Sequence, residues 1–282
     1  MHFQSCQLSG PLGRCIESVF HYRDFVPDHA VERVVPTGHV FLLFELDGIV
    51  RNTFDNITLA PTAAFTRAWV SGVHHDFISI SAHPRSEMFC IQFSLGGAHP
   101  FVHRAVSELN DRVVAAEEVF GPAALELHAQ LLAGKTSDDK FDAARRWLEA
   151  RFDPELAPPA ALVEVIDALR AAPLSKVGDA ATGYPRTQKH LIDQFKRFVG
   201  PTPKYLQRIL RFTAVLEKVQ AGRPVRWADL AAECGFSDQP HFVREFSRFS
   251  GFGPSEFVRN NHDVADLPNF FPVDAGSNDT AR

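Results

Sequence analysis

With 282 residues, 45% of them hydrophobic, the chain is long enough to bury one or two cores. Its net charge of −5 is unevenly placed: residues 1–159 carry −7, residues 160–260 carry +5 and the last 22 carry −3. A basic segment in an acidic chain suits contact with a polyanion, whereas Cys6, Cys15, Cys90 and Cys234, scattered and without a C-x-x-C pair, argue against a disulfide framework or structural zinc.

The opening MHFQSCQLSG has no basic start followed by an apolar run, and no stretch of about 18 apolar residues exists. A soluble, cytoplasmic protein without a membrane partner is expected. Residues 1–120 read as β-rich. Val40 to Phe44 is a short apolar run preceded by Pro36 and Gly38 and followed by the turn signal Asp47-Gly48. Phe77, Ile78 and Ile80 alternate in part, and Phe89, Ile91, Phe93 and Leu95 alternate cleanly until Gly96-Gly97 stops the strand. Several short strands separated by turns predict a small sandwich or barrel. Helical spacing then takes over at 122–133 and 139–152, with Phe141, Ala144, Trp147 and Leu148 on one face. Asp153-Pro154 and Pro158-Pro159 interrupt it and set the expected domain boundary. From Ala161 to about Arg259 the period is helical throughout. Residues 261–282, rich in Asp, Asn, Pro and Gly, are expected to be a mobile tail.

The helical part contains a repeat. Leu191, Phe195, Arg197, Phe198, Gly200 and Pro203 recur 51 residues later as Phe242, Phe246, Arg248, Phe249, Gly251 and Pro254. Each copy places apolar residues at i, i+4 and i+7, a Gly where the helix stops and a Pro where the next begins. A short Ala-rich stretch precedes each: Asp179-Ala180-Ala181 and Asp229-Leu230-Ala231-Ala232. Each unit is thus a short helix, a turn and a longer helix with one apolar and one partly basic face. That geometry suits a helix lying in a major groove of double-stranded DNA.

Residues 227–257 closely resemble the second helix-turn-helix of the AraC/XylS family, through Leu230-Ala231-Ala232, Gly235-Phe236-Ser237, His241-Phe242, Arg244, Phe246, Gly251 and Pro254-Ser255. Gly235 suits a left-handed turn, Ser237 suits a helix cap, and Pro240 falls in a first turn where a missing N–H does no harm. The first unit matches less well. Gln188 to Ile192 and Phe195 look like the first recognition helix, and Arg208 to Phe212 like the linker helix. Gly183 lies eight residues before Leu191, whereas Gly235 lies seven before Phe242, which predicts a displaced start to the first recognition helix.

The resemblance implies two recognition helices entering successive major grooves. Base readers are expected among Thr187, Gln188, Lys189 and Ile192 in the first unit and Asp238, Gln239, His241 and Arg244 in the second. Lys196, Arg197 and Arg248 are better placed for phosphates. Arg244 is the strongest candidate for base reading, since Arg bidentate to guanine is the commonest specific contact; its alternative is phosphate. Asp193 faces either a cytosine amino group or water.

Arg33 to Val40, Trp69 to Gly72, Phe93 to Ala98 and Leu109 to Val114 resemble the cupin-like N-terminal domain of some of these regulators. This implies a sensory or dimerising role, a small-molecule effector, a homodimer through residues 1–150, and RNA polymerase as partner if the protein is an activator. Phe41, Trp69, Phe89 and Phe93 are candidate effector contacts, each with core packing as its alternative. The competing function is a cupin-type metal-dependent enzyme fused to a DNA-binding domain. His74, His75, His83, His99 and His103, with Glu87, show no H-x-H and following Glu at enzyme spacing, so no metal, cofactor or catalytic residue is expected. A self-repairing methyl-acceptor regulator needs a four-cysteine zinc site that the sequence lacks. The expected fold class is α+β with two domains. A β-rich, cupin-like domain with flanking helices occupies 1–157, and an all-α domain of two helix-turn-helix units joined by a linker helix occupies 158–260. The tail covers 261–282.

Overall fold

A computed structural model describes residues 1–220, 226–236, 238–259 and 270–273. The strands are β1 (His2–Cys6), β2 (Ile16–Phe25), β3 (Val31–Val34), β4 (Phe41–Glu45), β5 (Arg51–Phe54), β6 (Pro61–Phe65), β7 (Ala68–Ser71), β8 (Ile78–Ser81), β9 (Ser86–Phe93), β10 (Val113–Ala115) and β11 (Phe270–Pro272). Helices α1 (Gly10–Cys15), α2 (His99–Val102), α3 (Ala116–Phe120), α4 (Ala123–Ala133) and α5 (Ser137–Arg151) belong to the β-rich part. The rest is helical: α6 (Ala160–Ala171), α7 (Val177–Ala180), α8 (Gln188–Phe198), α9 (Pro203–Gln220), α10 (Trp227–Glu233), α11 (Gln239–Ser250) and α12 (Pro254–Arg259).

The strands form two antiparallel sheets, ordered β1-β2-β9-β4-β7-β10 and β11-β3-β8-β5-β6. In the first, strands β4, β7 and β9 are buried on both faces, which explains why Val40 to Phe44 is a continuous apolar run. Side-chain parity sorts the faces. Phe41, Leu43, Trp69, Ser71, Met88, Cys90 and Gln92 point toward the second sheet. Leu42, Phe44, Val70, Phe89, Ile91 and Phe93 point the other way, into a core covered by helices. There Phe89 meets Phe141 of α5 with ring centroids 5.7 Å apart, and Phe93 meets Phe101 of α2 at 5.4 Å. Thr136 and Asp139 form a reciprocal capping box that starts α5.

At one edge between the sheets lies a buried ion pair. Glu45 and Arg51 are 1% and 3% exposed, and two guanidinium nitrogens of Arg51 donate to the carboxylate at 3.2 and 3.1 Å. Arg51 Nη1 also donates to Ser81 O at 2.7 Å, and Trp69 Nε1 donates to Glu45 at 2.9 Å. With its remaining groups bonded, the pair avoids leaving charge uncompensated in the interior.

In the helical part, Leu162, Ile166 and Leu169 of α6 pack with Leu191, Phe195 and Phe198 of α8. Phe212, Phe242, Phe246, Phe249 and Phe257 build the core of the second unit, and that core is continuous with the one beneath the first sheet. The expectation of a mobile tail is corrected at β11, which pairs antiparallel with β3 and buries Phe271. Asp and Asn lead the composition of the segment and conceal its local apolar run, Phe270-Phe271-Pro272-Val273. Residues 260–269 and 274–282 lie outside the described residues. Among the described residues no helix is long and apolar enough to cross a membrane.

Candidate nucleic-acid interface and its links to the β-rich domain

The two units are built alike from the cap onward. Thr187 caps α8, its hydroxyl accepting from the His190 amide at 3.2 Å, and Asp238 caps α11, its carboxylate accepting from the His241 amide at 2.7 Å. These caps are 51 residues apart, so the recognition helices start in register. The additional residue after Gly183 is absorbed within Tyr184-Pro185-Arg186. Gly183 and Gly235 both take positive φ, at 86° and 70°, as the tight turn requires. The cap of α11 is Asp238; Ser237, read as the cap from sequence, lies outside the described residues. Pro240 sits in the first turn of α11.

Thr187, Gln188, Lys189, Asp238, Gln239 and Arg244 are exposed, and Ile192 and His241 are partly so. Thr187 and Asp238 use their side-chain oxygens as caps. Leu191, Phe195 and Phe198 are buried in the first unit, as are Phe242, Phe246 and Phe249 in the second. Arg208 of α9 holds α11 through a bidentate pair with Glu245 at 2.7 and 2.6 Å. Asp193 and Lys196 are exposed on α8.

The C-terminal ends of both recognition helices meet the β-rich domain at matched repeat positions. Asn110 Nδ2 donates to Gly200 O at 3.0 Å, and Arg33 Nη1 donates to Gly251 O at 2.7 Å. Three residues upstream, Arg197 Nε donates to His99 Nε2 at 3.3 Å, and Arg248 Nε donates to Asp76 at 2.5 Å. His99 can accept because its Nδ1–H donates to Leu156 O. Burial, the Arg197 charge and that of His103 outweigh this hydrogen bond and hold the imidazole below its ordinary pKa, favouring the neutral form. Two of the three residues assigned to phosphate from sequence, Arg197 and Arg248, thus engage the β-rich domain. Tyr205 of α9 adds a bond from its hydroxyl to His75 O at 2.5 Å.

Between the sheets lies a cavity of about 200 Å³. Phe41 and Trp69 line it, together with Tyr22, Val34, Ile78, Ile80, Met88 and Phe270, and with Ser18, Thr37, Ser71 and Gln92 as its polar groups. Phe89 and Phe93, grouped with Phe41 and Trp69 from sequence, do not reach it. They are odd-numbered residues of β9, where parity turns them into the helix-covered core.

The histidines are dispersed. His74 Nε2 bonds Ser71 Oγ at 3.0 Å, His75 bonds Asp111 at 2.5 Å and His103 bonds Pro100 O at 2.9 Å. Glu87 instead meets His21 at 2.9 Å, a pair the spacing did not reveal. Among the described residues no three His, Cys, Asp or Glu side chains converge as metal ligands would.

Residues 4–115 match the family described as a domain of unknown function (DUF6597), and residues 181–260 match the family described as a helix-turn-helix domain. No curated protein matches the chain. Among solved structures, ToxT from Vibrio cholerae aligns at 11% identity over 91% of this chain and 98% of its own, with a TM-score of 0.44. ToxT from Vibrio cholerae with an unsaturated fatty acid bound aligns at 9% identity over 85% and 94%, with a TM-score of 0.45. With its two capped recognition helices inside the matched region, the chain is a DNA-binding transcription regulator carrying an AraC-type helix-turn-helix domain behind a β-rich domain of unknown function.

Proposed function

We propose that α8 and α11 enter successive major grooves on one face of the duplex, about 34 Å apart, under the control of a small molecule held between the two sheets. The observation that carries this reading is the polarity of each recognition helix. The N-terminal turn is capped, polar and exposed, while the C-terminal end is hydrogen-bonded to the β-rich domain. Gln188, Lys189 and Ile192 read bases in the first unit, with Thr187 at its edge. Gln239, His241 and Arg244 read them in the second, beside Asp238. Lys196 contacts phosphate directly. Arg197 and Arg248 do so once released from His99 and Asp76.

The effector is small and mainly apolar, because Phe41, Trp69 and their neighbours leave about 200 Å³ with few polar groups. In this reading residues 1–157 sense and residues 158–260 bind DNA, in the cytoplasm. A second copy docks through residues 1–150, and RNA polymerase is the partner if transcription rises.

Genomic-DNA enrichment on the purified full chain at two salt concentrations tests the DNA reading. The expected result is one or a few sites, each with two half-elements about one helical turn apart, and weaker binding at higher salt from counterion release. Recovery no greater than that of a Lys189→Ala, Arg244→Ala double variant would refute it.

A further inference from the structure

β3 and β11 form a wall two strands wide between the cavity and the second helix-turn-helix unit. Because successive side chains point to opposite faces, the cross-strand row Phe270, Val34 and Ile78 lines the cavity. The adjacent row, Phe271, Arg33 and Ser79, has the opposite parity. Phe271 lies 4.6 Å, ring to ring, from Phe257 of α12. The Arg33 guanidinium sits 4.8 Å from the Phe77 ring and 4.3 Å from the Phe252 ring while donating to Gly251 O. This contact has no slack, since a Cβ on Gly251 would stand 2.8 Å from both Arg33 and Phe77.

The first unit is held differently. Asn110, which grips Gly200, follows the short helical turn Val106–Leu109 and is not among the residues lining the cavity. Consecutive residues of β3 therefore touch the cavity and the end of α11, while the grip on α8 stands apart from both. The cavity is smaller than most ligand sites, so an occupant larger than about 200 Å³ presses on its walls. Among the described residues β11 is a sheet edge with one neighbouring strand, and close-packed interiors transmit such displacement rather than absorb it.

We propose that filling the cavity moves α11 relative to α8 through β3 and β11, so that occupancy sets the separation of the two recognition helices. This rests on the effector cavity and the DNA reading proposed above.

The test places spin labels at Asp193→Cys on α8 and Val243→Cys on α11 in a full-length Cys6→Ser background, the other three cysteines being buried. Distances are measured by pulsed electron resonance. Gln92→Trp fills the cavity from the opposite sheet without substituting the wall, and Ser18→Phe is a second filling variant from β2. A folded filling variant is expected to shift the distance by about 1–2 Å, the usual scale of helix shifts. Adding Arg33→Ala together with Phe271→Ala is expected to abolish the shift. No shift in either variant, both folded by circular dichroism, would overturn the coupling, as would a shift that survives these two substitutions. Titration of wild type with its enriched duplex separates the two readings. A shift without DNA binding rejects the DNA reading alone, and DNA binding without a shift rejects the coupling alone.

Discussion

If phosphate and Asp76 compete for Arg248, then Asp76→Asn tightens DNA binding by an amount the geometry bounds. The pair is close, at 2.5 Å, yet its side chains are 46% and 47% exposed. Exposed pairs are worth about 0.2–1 kcal/mol, well below what the distance alone suggests, because solvent screens them. Removing the competitor returns that amount to DNA binding, an increase in affinity of about 1.4- to 5-fold. The substitution also removes a negative charge, which favours a polyanion even where Arg248 plays no part. The two effects separate in a double-mutant cycle with Arg248→Gln. Fluorescence anisotropy of the enriched duplex at two salt concentrations is the assay. Arg248→Gln alone is expected to weaken binding and lower the salt slope by about 0.9. In that background Asp76→Asn should bring little further gain. An equal gain with and without Arg248 would refute competition and leave only long-range charge. Weaker binding by Asp76→Asn would mean that the interdomain contact orders the reading helix rather than restraining it.

Three further predictions bear on the core, on pH and on specificity. Arg51→Ala strands the buried Glu45 carboxylate and is expected to cost about 3–5 kcal/mol; thermal melting followed by circular dichroism checks this, and an unchanged midpoint would contradict it. Burial lowers the His74 pKa from 6.5 to about 4, so the unfolded chain takes up this proton first as pH falls. That contribution to stability is complete above pH 6.5 and is lost on the way down to about 4, amounting to about 3 kcal/mol at most. Urea midpoints should show less acid sensitivity in His74→Gln, and identical sensitivity would exclude His74 as the cause. Arg244→Ala should relax discrimination at one base pair by about 1–3 kcal/mol, read on a panel of single-base operator variants; uniform weakening across the panel would assign Arg244 to phosphate.

The recognition helices were legible because their determinants are local. Gly183 and Gly235 permit the turns and apolar spacing fixes the buried faces, whereas the caps were not read: Ser237 was taken as the cap of α11, and Thr187 and Asp238, taken as base readers, supply the caps. The uneven spacing of Gly183 and Gly235 suggested a displaced first helix, yet the cap restores register, since a turn absorbs one residue more cheaply than a packed helix face does. The cavity was half legible. Phe41 and Trp69 lie on one face of the first sheet and Phe89 and Phe93 on the other. Aromatic character marks both faces when both are buried, and only strand pairing reveals the parity. The interdomain contacts were not legible. Arg33, Asp76, His99 and Asn110 carry no periodicity, and their partners are backbone carbonyls or arginines that already have local explanations. The one available signal was Gly200 and Gly251 themselves, whose role as helix stops was sufficient to hide a second one.

That second role has a mechanical consequence. A helix leaves its last carbonyls without intrahelical partners and carries partial negative charge at that end, so a donor from another domain is favoured there, a guanidinium above all. Glycine keeps the approach open, and at both Gly200 and Gly251 a Cβ would intrude on the gripping side chain. The β-rich domain thus holds each recognition helix by the end opposite the one proposed to read DNA. α11 has 12 residues, and at about 1.5 Å of rise per residue it is a lever of about 18 Å. A tilt of about 5° at Gly251 carries the first turn through about 1.6 Å by that length. Hydrogen bonds to base edges span only about 0.5 Å of tolerable distance. Such a tilt, with Phe242, Phe246, Phe249 and the core around them carried along, is therefore large enough to make or break base contacts, which allows a sensory domain to control reading without approaching the groove.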